Sequence, residues 1–200
     1  MQKTLDAILA GHRKFQKKYT GEAHIMDRLA TEGQHPSTLV IACADSRVDP
    51  AVVLQCDPGD IFVVRNVANM VPAFEQRHMD SVGAALEYAV CYLGVTHIVI
   101  MGHSGCGGVA ALCNPSSLHQ DDCISRWVSL SGVKANGGAV DDCAKQSLSV
   151  SYKNCLSYPW IQQRVSDGSL TLHRWFFDIQ RGQINVWTPE SEEFIPLAAD

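Results

Sequence analysis

The sequence predicts an α/β fold: a mostly parallel central β-sheet flanked by helices, with an N-terminal helical arm and a C-terminal edge strand or hairpin. Three observations predict it. Short apolar, partly β-branched runs are bounded by turn residues, which is typical of buried strands. Segments of helical period separate these runs, and this alternation is typical of parallel sheets built by right-handed crossovers. The last two strand candidates instead flank Arg181–Gly182, which favours an antiparallel hairpin or a bulged edge pair.

The composition is that of one globular domain. A chain of 200 residues, 46% of them hydrophobic, suits a single core. A net charge of −5 and the lack of a long basic block argue against a nucleic-acid partner. No apolar run is long enough to span a membrane, and the first twenty residues do not resemble a secretory signal.

Cysteine usage indicates the compartment. Eight cysteines in 200 residues are too few for a disulfide scaffold, so a reducing cytoplasm is the predicted location. The alternative that the chain is the mature form of an organelle or microcompartment protein stays open. Six of the cysteines have no partner at metal-ligand spacing and are predicted to be small structural hydrophobes. They are Cys56, Cys91, Cys113, Cys123, Cys143 and Cys155.

The predicted domain spans 1–200 and has three parts: an arm over 1–33, a core over 34–110, and C-terminal helices and edge strands over 111–200. Apolar residues at helical spacing predict an amphipathic helix over residues 3 to 18 and a second over 22 to 31. The pattern leaves open whether the apolar face of the first helix packs on this domain or on a second subunit.

Within the core, apolar runs predict strands over Thr38–Cys43 and Ile61–Val64 and from His97, with a polar loop over Arg65–Asn69. Asp49–Pro50 predicts a capped short helix, and the helical pattern over residues 80 to 93 ends at Gly94. Further along, helices are predicted over Asp141–Leu156 and Pro159–Val165, then strands over Leu170–Ile179 and Ile184–Thr188.

Two of the predicted strands end in soft metal ligands. Cys43 ends the first strand, His103 follows the apolar run of the third, and Cys106 comes three residues later, one turn into the next helix. If both strands lie parallel in one sheet, their carboxyl ends meet at the edge where α/β sheets bind ligands. Two thiolates and one imidazole are the Cys₂His set of a zinc site with an open fourth position.

The loop after Cys43 adds a carboxylate and a guanidinium, Asp45 and Arg47. As an exposed ion pair they would contribute little. Beside a metal, a bidentate arginine would keep the carboxylate ionised and direct it, so that Asp45 accepts a proton from the bound water.

These residues carry a resemblance. Cys43-Ala-Asp-Ser-Arg47, followed by His103-Ser-Gly-Cys-Gly-Gly108, resembles the β-class carbonic anhydrases, with the plant and cyanobacterial types most similar. The resemblance is strong from Gln34 to Gly108 and looser in the flanks. It implies a Zn²⁺ enzyme that interconverts carbon dioxide and bicarbonate, working as a homodimer or higher oligomer.

The resemblance also implies a substrate pocket at a dimer interface, with groups from both chains. Gln34 would donate a hydrogen bond to substrate, while Phe62 and Tyr88 would form an apolar wall suited to carbon dioxide. Taken without the resemblance, the two aromatic residues would be assigned to the core.

One position departs from part of the family. In some β-class enzymes the loop aspartate moves onto the metal, and these enzymes carry a tryptophan three residues before the first zinc cysteine. Here that position is Val40, although Arg65 and Tyr88 match the accompanying residues. The departure implies an open metal position, with Asp45 paired to Arg47.

Three other functions stay open from the sequence. The same scaffold serves hydrolases of carbon disulfide or carbonyl sulfide. A thiol-based redox or phosphatase-like protein with Cys43 as nucleophile is disfavoured, because phosphatase loops place arginine six residues after the cysteine, where this chain has Asp49. A non-catalytic zinc protein is disfavoured because structural sites use four protein ligands.

Overall fold

The computed structural model describes residues 4–20, 24–76, 81–114, 118–119, 122–130, 132–133 and 138–197. Its strands are β1 (Thr38–Cys43), β2 (Ile61–Asn66), β3 (His97–His103), β4 (Thr171–Asp178), β5 (Gln183–Thr188) and β6 (Glu193–Pro196). They form one sheet in the order β2-β1-β3-β4-β5-β6. The first four strands are parallel, and β5 and β6 continue the sheet antiparallel. The predicted fold class is therefore confirmed.

Two of the described helices precede the first strand, and the others lie between strands. The helices are α1 (Leu5–Tyr19), α2 (Ile25–Glu32), α3 (Pro50–Val53), α4 (Ser81–Glu87), α5 (Gly107–Cys113), α6 (Cys123–Ser129), α7 (Val140–Leu156) and α8 (Pro159–Ser166). Asp49 caps α3, its side chain accepting a hydrogen bond from the Ala51 N–H at 3.1 Å, with proline in the first turn as predicted. In the part of the chain that the structure describes, no helix is long and apolar enough to cross a membrane.

Several boundaries differ from those predicted. Strand β2 runs two residues further than expected, so Arg65 and Asn66 belong to the sheet rather than to a loop. Helix α4 ends at Glu87 and continues as a π-helical turn over Tyr88–Tyr92, and the short strand β6 was not predicted. Residues 3, 22, 23 and 80, which the predicted helices include, lie outside the described residues.

The central strands bring the candidate ligands to one edge. Leu39, Val40, Ile41 and Ala42 of β1 are all fully buried, because strands lie on both sides of β1 and side chains cover both faces. The register pairs Ala42 with Met101, so Cys43 at the end of β1 lies beside the last two residues of β3. Parallel neighbours thus deliver Cys43 and His103 to the same carboxyl edge.

Helix α1 leaves its apolar face uncovered. None of its residues is buried, and Leu5, Ile8 and Leu9 expose 71%, 58% and 50% of their area. Its last turn is fixed by Lys18, whose ammonium lies 3.0 Å from a carboxylate oxygen of Asp57. The apolar face therefore does not pack on the part of this domain that the structure describes.

One pair of cysteines meets across two helices. The sulfurs of Cys113, at the end of α5, and Cys143, in the first turns of α7, are joined as a disulfide. As a disulfide, the two form a covalent link and are not the small hydrophobes that were predicted. The pairing itself was not predicted, because a separation of 30 residues carries no spacing signal.

Candidate metal centre

Cys43, His103 and Cys106 converge at the carboxyl edge of the sheet. One ligand atom from each lies within 4.8 Å of the others, and all three residues are at least 96% buried. The two sulfur atoms are 3.8 Å apart. Two thiolates bound to one tetrahedral zinc at about 2.3 Å each would be about 3.8 Å apart, so the sulfur spacing already fits that metal.

The third candidate ligand, His103, is oriented by the backbone of the next residue. Nδ1 of His103 lies 3.0 Å from the carbonyl oxygen of Ser104, which sets this nitrogen as the donor and leaves Nε2 with a free lone pair. Nε2 is buried and has no hydrogen-bond partner among the described residues. A buried polar atom is normally satisfied, so an orphaned nitrogen beside two sulfurs is consistent with a metal ligand. The donor set therefore fits zinc.

The two thiols interact so that one is readily ionised. Hydrogen bonding from Cys106 outweighs the opposing effect of burial and lowers the pKa of Cys43 to about 4, and the nearby His103 ring acts in the same direction. The same contact, together with burial, raises the pKa of Cys106. Burial lowers the pKa of His103, but the Cys43 sulfur, the Ser104 backbone and the Asp45 carboxylate together outweigh burial, and the net shift is upward. A thiolate is the form that binds a metal.

Asp45 and Arg47 form a fork beside these ligands. Nε of Arg47 lies 2.9 Å from Oδ1 of Asp45, and Nη2 lies 2.7 Å from Oδ2. The Arg47 backbone N–H donates to Oδ1 as well, at 2.9 Å. The guanidinium holds the pKa of the Asp45 carboxyl well below its usual range. Oδ2 lies 3.9 Å from Nε2 of His103, so the carboxylate faces the ligand cluster.

Arg65 holds the loop that carries these groups. From β2, its guanidinium donates to the carbonyl oxygens of Cys43 at 3.1 Å and Asp45 at 2.8 Å, and to the Asp49 carboxylate at 2.6 Å. Sequence reasoning assigned Arg65 no such part. It had placed the residue in a loop, and no local pattern indicates contacts across 16 to 22 residues.

A strained turn supports the centre from the other side. Ala68 and Asn69 adopt left-handed backbone conformations, with φ of 65° and 46°, and both are buried. The Ala68 N–H helps to lower the pKa of Cys43. Trp127 of α6 donates to the Val67 carbonyl at 2.8 Å and anchors the turn. Non-glycine residues in this conformation cost free energy, and such strain is common at functional sites.

Asp141 is a further residue that sequence reasoning missed. Its Oδ1 accepts a hydrogen bond from the Gly105 N–H at 2.8 Å, from the first turn of α7 to the turn between His103 and Cys106. The 36 residues between donor and acceptor explain why no motif indicated it.

The remaining predicted site residues lie elsewhere on the chain. The rings of Phe62 and Tyr88 are 5.9 Å apart, so the structure brings these two together. Phe62 lies four residues before Asn66, the register partner of Cys43, which places it about 13 Å from the carboxyl edge. Gln34 is exposed and lies four residues before β1, at the amino end of the strand that Cys43 ends. The three residues thus lie toward the opposite end of the sheet from the ligand cluster of the same chain.

Comparisons with known proteins agree with this geometry. The family model described as carbonic anhydrase matches residues 38–184. A carbonic anhydrase of Pseudomonas aeruginosa is 33% identical over 202 residues, which cover 96% of this chain and 91% of that protein.

Solved structures agree as well. The β-carbonic anhydrase CcaA has a TM-score of 0.89 at 29% identity, over 96% of this chain and 99% of that one. A tetrameric β-carbonic anhydrase of the filamentous ascomycete Sordaria macrospora has a TM-score of 0.75 at 30% identity, over 90% and 94%. The Coccomyxa β-carbonic anhydrase in complex with acetazolamide has a TM-score of 0.76 at 26% identity, over 92% and 86%. With its Cys-His-Cys cluster and its sheet, the chain belongs to the carbonic anhydrase family, as an enzyme of the β class.

Proposed function

We propose that this carbonic anhydrase carries out zinc-dependent, reversible hydration of carbon dioxide to bicarbonate and a proton, with Cys43, His103 and Cys106 as the metal ligands. The observation that carries the proposal is the pair of sulfurs 3.8 Å apart facing an imidazole whose Nε2 has no other described partner. A zinc ion held there would make water a nucleophile at neutral pH by lowering its pKa toward about 7.

Asp45 is the hydrogen-bond acceptor for the reacting water in this proposal. Arg47 engages both of its carboxylate oxygens, which keeps the group ionised and fixes its direction. A carboxylate in this state accepts a hydrogen bond from the water and so orients the water's lone pair toward the carbon of the substrate, while the proton released leaves to the solvent. Because Asp45 is committed to Arg47, we propose that it does not ligate the metal and that the fourth position stays open. The fully buried Val40 adds no indole that would favour the alternative.

The substrate pocket in this proposal takes groups from two chains. Gln34, Phe62 and Tyr88 lie toward the amino end of β1 and β2, too far from their own ligand cluster to line it. Strand β2 is an edge of the sheet, and Tyr88 beside it is 45% exposed, so this surface is free to meet a second copy. In a homodimer or a higher oligomer, the partner's copies of the two aromatic residues would then form the apolar wall that contacts carbon dioxide. The partner's copy of the glutamine would bind bicarbonate.

The metal assignment is tested by removing one sulfur at a time. Cys43→Ser and Cys106→Ser should each lose the zinc found in the wild-type protein, together with carbon dioxide hydration, because a hydroxyl is a far weaker zinc ligand than a thiolate. Cys91→Ser is the matched control, since Cys91 is an exposed free cysteine. The measurements are zinc per chain by elemental analysis and hydration by stopped-flow. Stoichiometric zinc in either ligand variant would overturn the assignment.

The cell compartment stays a prediction. We infer the cytoplasm from a cysteine content that is too low for a disulfide scaffold; the Cys113–Cys143 disulfide is the observation that argues the other way. Fluorescence of a tagged chain beside a cytoplasmic marker would test it, and an organellar pattern would contradict it.

A further inference from the structure

We propose that Asp141 is a positioning residue for the metal centre: its carboxylate holds the turn that joins His103 to Cys106 in the conformation that both ligands need. The inference rests on the zinc site proposed above. Asp141 lies outside both ligand motifs and contacts neither ligand side chain in any hydrogen bond described above. It acts on the backbone between them.

The central residue of this turn is held from both of its peptide groups. Gly105 has a φ of +60°, a left-handed conformation that other residues rarely adopt. Its N–H donates to Oδ1 of Asp141 at 2.8 Å, and its carbonyl accepts from Nη2 of Arg47 at 3.2 Å. One residue therefore links the α7 carboxylate to the guanidinium that orients Asp45. Movement of Gly105 would disturb two ligands and the Asp45–Arg47 fork together.

The opposite side of the turn is attached to the sheet. The Ser104 N–H donates to the carbonyl of Phe177 at 3.0 Å, and the Ser104 hydroxyl accepts from the N–H of Ile179 at 2.9 Å. The turn thus lies between the end of β4 and the start of α7. The β4 side contacts only Ser104 in this set, so the conformation of Gly105 depends on its own two contacts, with Asp141 at the N–H and with Arg47 at the carbonyl.

Helix α7 is a rigid support for this contact. It is 17 residues long, and Leu148 in its middle is fully buried against the core. The Asp141 carboxylate is partly buried, and its bond to Gly105 is of the charge-assisted kind, about twice as strong as a neutral hydrogen bond. Groups that orient metal ligands in this way typically change metal affinity or activity by about 10- to 100-fold when removed.

Variants of the neighbouring Asp142 distinguish the positioning role of Asp141 from the general effect of a negative charge at a helix N-terminus. Both carboxylates lie in the first turn of α7, where a negative charge favours the helix, but Asp142 is exposed. A loss of charge at either residue should therefore affect the helix alike. Only the loss of Asp141 should loosen the turn between the ligands.

The experiment compares Asp141→Ala, Asp141→Asn, Asp142→Ala and Asp142→Asn as zinc-loaded proteins. The first measurement is the rate of zinc release to a chromogenic chelator, and the second is carbon dioxide hydration by stopped-flow. Asp141→Ala should release zinc at least about tenfold faster than Asp142→Ala. Asp141→Asn should fall between Asp141→Ala and the wild type, because an amide oxygen still accepts the Gly105 hydrogen bond but without the charge.

Equal zinc release by the two alanine variants would overturn the proposal, since Asp141 would then act only on the helix. If Asp141→Ala fails to fold, the two asparagine variants provide the test. Faster zinc release from Asp141→Asn than from Asp142→Asn supports the positioning role, and equal zinc release from the two variants contradicts it. A wild-type protein that holds no zinc, or holds zinc and hydrates no carbon dioxide, would instead contradict the proposed function. The two failures are therefore distinguishable.

Discussion

Arg65 connects three parts of the loop that carries the proposed catalytic groups. Its guanidinium donates to the backbone carbonyls of Cys43 and Asp45 and to the carboxylate of Asp49 at once. A lysine in its place has one compact charge on a flexible stem and cannot reproduce three contacts in a fixed plane. The geometry of Arg65 therefore bears on both a proposed metal ligand, Cys43, and the proposed acceptor carboxylate, Asp45.

We expect Arg65→Lys to lower kcat/KM for carbon dioxide hydration by about 10- to 100-fold, with a smaller effect on zinc content, because the loop loses its fixed geometry while the three ligands remain. Arg181→Lys is the control, since the Arg181 side chain is 76% exposed on the turn after β4. Stopped-flow hydration and elemental analysis on the same preparations are the measurements. Unchanged kinetics in Arg65→Lys would show that the loop holds its shape without the guanidinium.

The contrast between ligands and supporting residues explains how much of the site the sequence could predict. Cys43, His103 and Cys106 were recognisable because each follows an apolar run or sits three residues from another ligand, and such spacing is local. The roles of Arg65 and Asp141 were not, because their contacts join residues 16 to 36 positions apart, and only the folded sheet brings them together.

At the scale of elements, α5 meets the strained turn that supports the metal centre. A Cβ added at Gly108 would lie 2.6 Å from Cγ1 of Val67 and 3.1 Å from Cβ of Ala68. The first contact requires the Val67 side chain to move, and the contacts with Ala68, including its backbone nitrogen at 3.2 Å, require the helix or the left-handed turn to shift by a few tenths of an ångström. Close packing therefore favours glycine here.

We therefore expect Gly108→Ala to lower the free energy of unfolding by about 1 to 3 kcal/mol, the usual cost of overpacking. Gly107→Ala is a control in the same helical turn, because a Cβ there meets no atom within 4 Å. It should be neutral or slightly stabilising, since alanine favours helix over glycine. Urea unfolding of the zinc-loaded proteins measures both. Equal stabilities would mean that the turn yields to the added methyl group without cost.

Element identity was more predictable than element ends. The strands β1 and β3 are recognisable from sequence as short apolar runs, because both faces of a central strand are buried. The end of β2 is not recognisable in this way, since Arg65 and Asn66 are polar. These two residues belong to the strand because they pair with Ala42 and Cys43. Strand β6 has four residues and lies at the edge, so its sequence carries little burial signal.

At the scale of the whole molecule, the chain holds the two halves of its proposed site at opposite ends of the sheet. The ligand cluster lies at the carboxyl edge, whereas Phe62 and Tyr88 pair about 13 Å away toward the amino end. Helix α1 meanwhile exposes Leu5, Ile8 and Leu9. A second copy would cover this apolar face and would complete each pocket with the other's aromatic pair.

Charges placed on the apolar face of α1 should weaken assembly without affecting metal binding. Ile8→Glu and Leu9→Glu place a charge on the apolar face of α1, where burial of each side chain in an interface contributes about 1.5 to 3 kcal/mol. We expect each variant to weaken self-association by about 10- to 100-fold, as followed by sedimentation velocity over a dilution series. Hydration activity should fall in parallel with the oligomer. Zinc content should not change, because the three proposed ligands come from one chain.

Lys14→Glu is the matched control, since it also adds a glutamate to α1 but at an exposed polar position. It should assemble and turn over like the wild type. A variant at Ile8 or Leu9 that sediments as a monomer and keeps full activity would refute the shared pocket, because Gln34, Phe62 and Tyr88 would then be dispensable or would reach the metal of their own chain. Zinc loss on dissociation would point to a different coupling, in which the partner stabilises the ligand loops themselves.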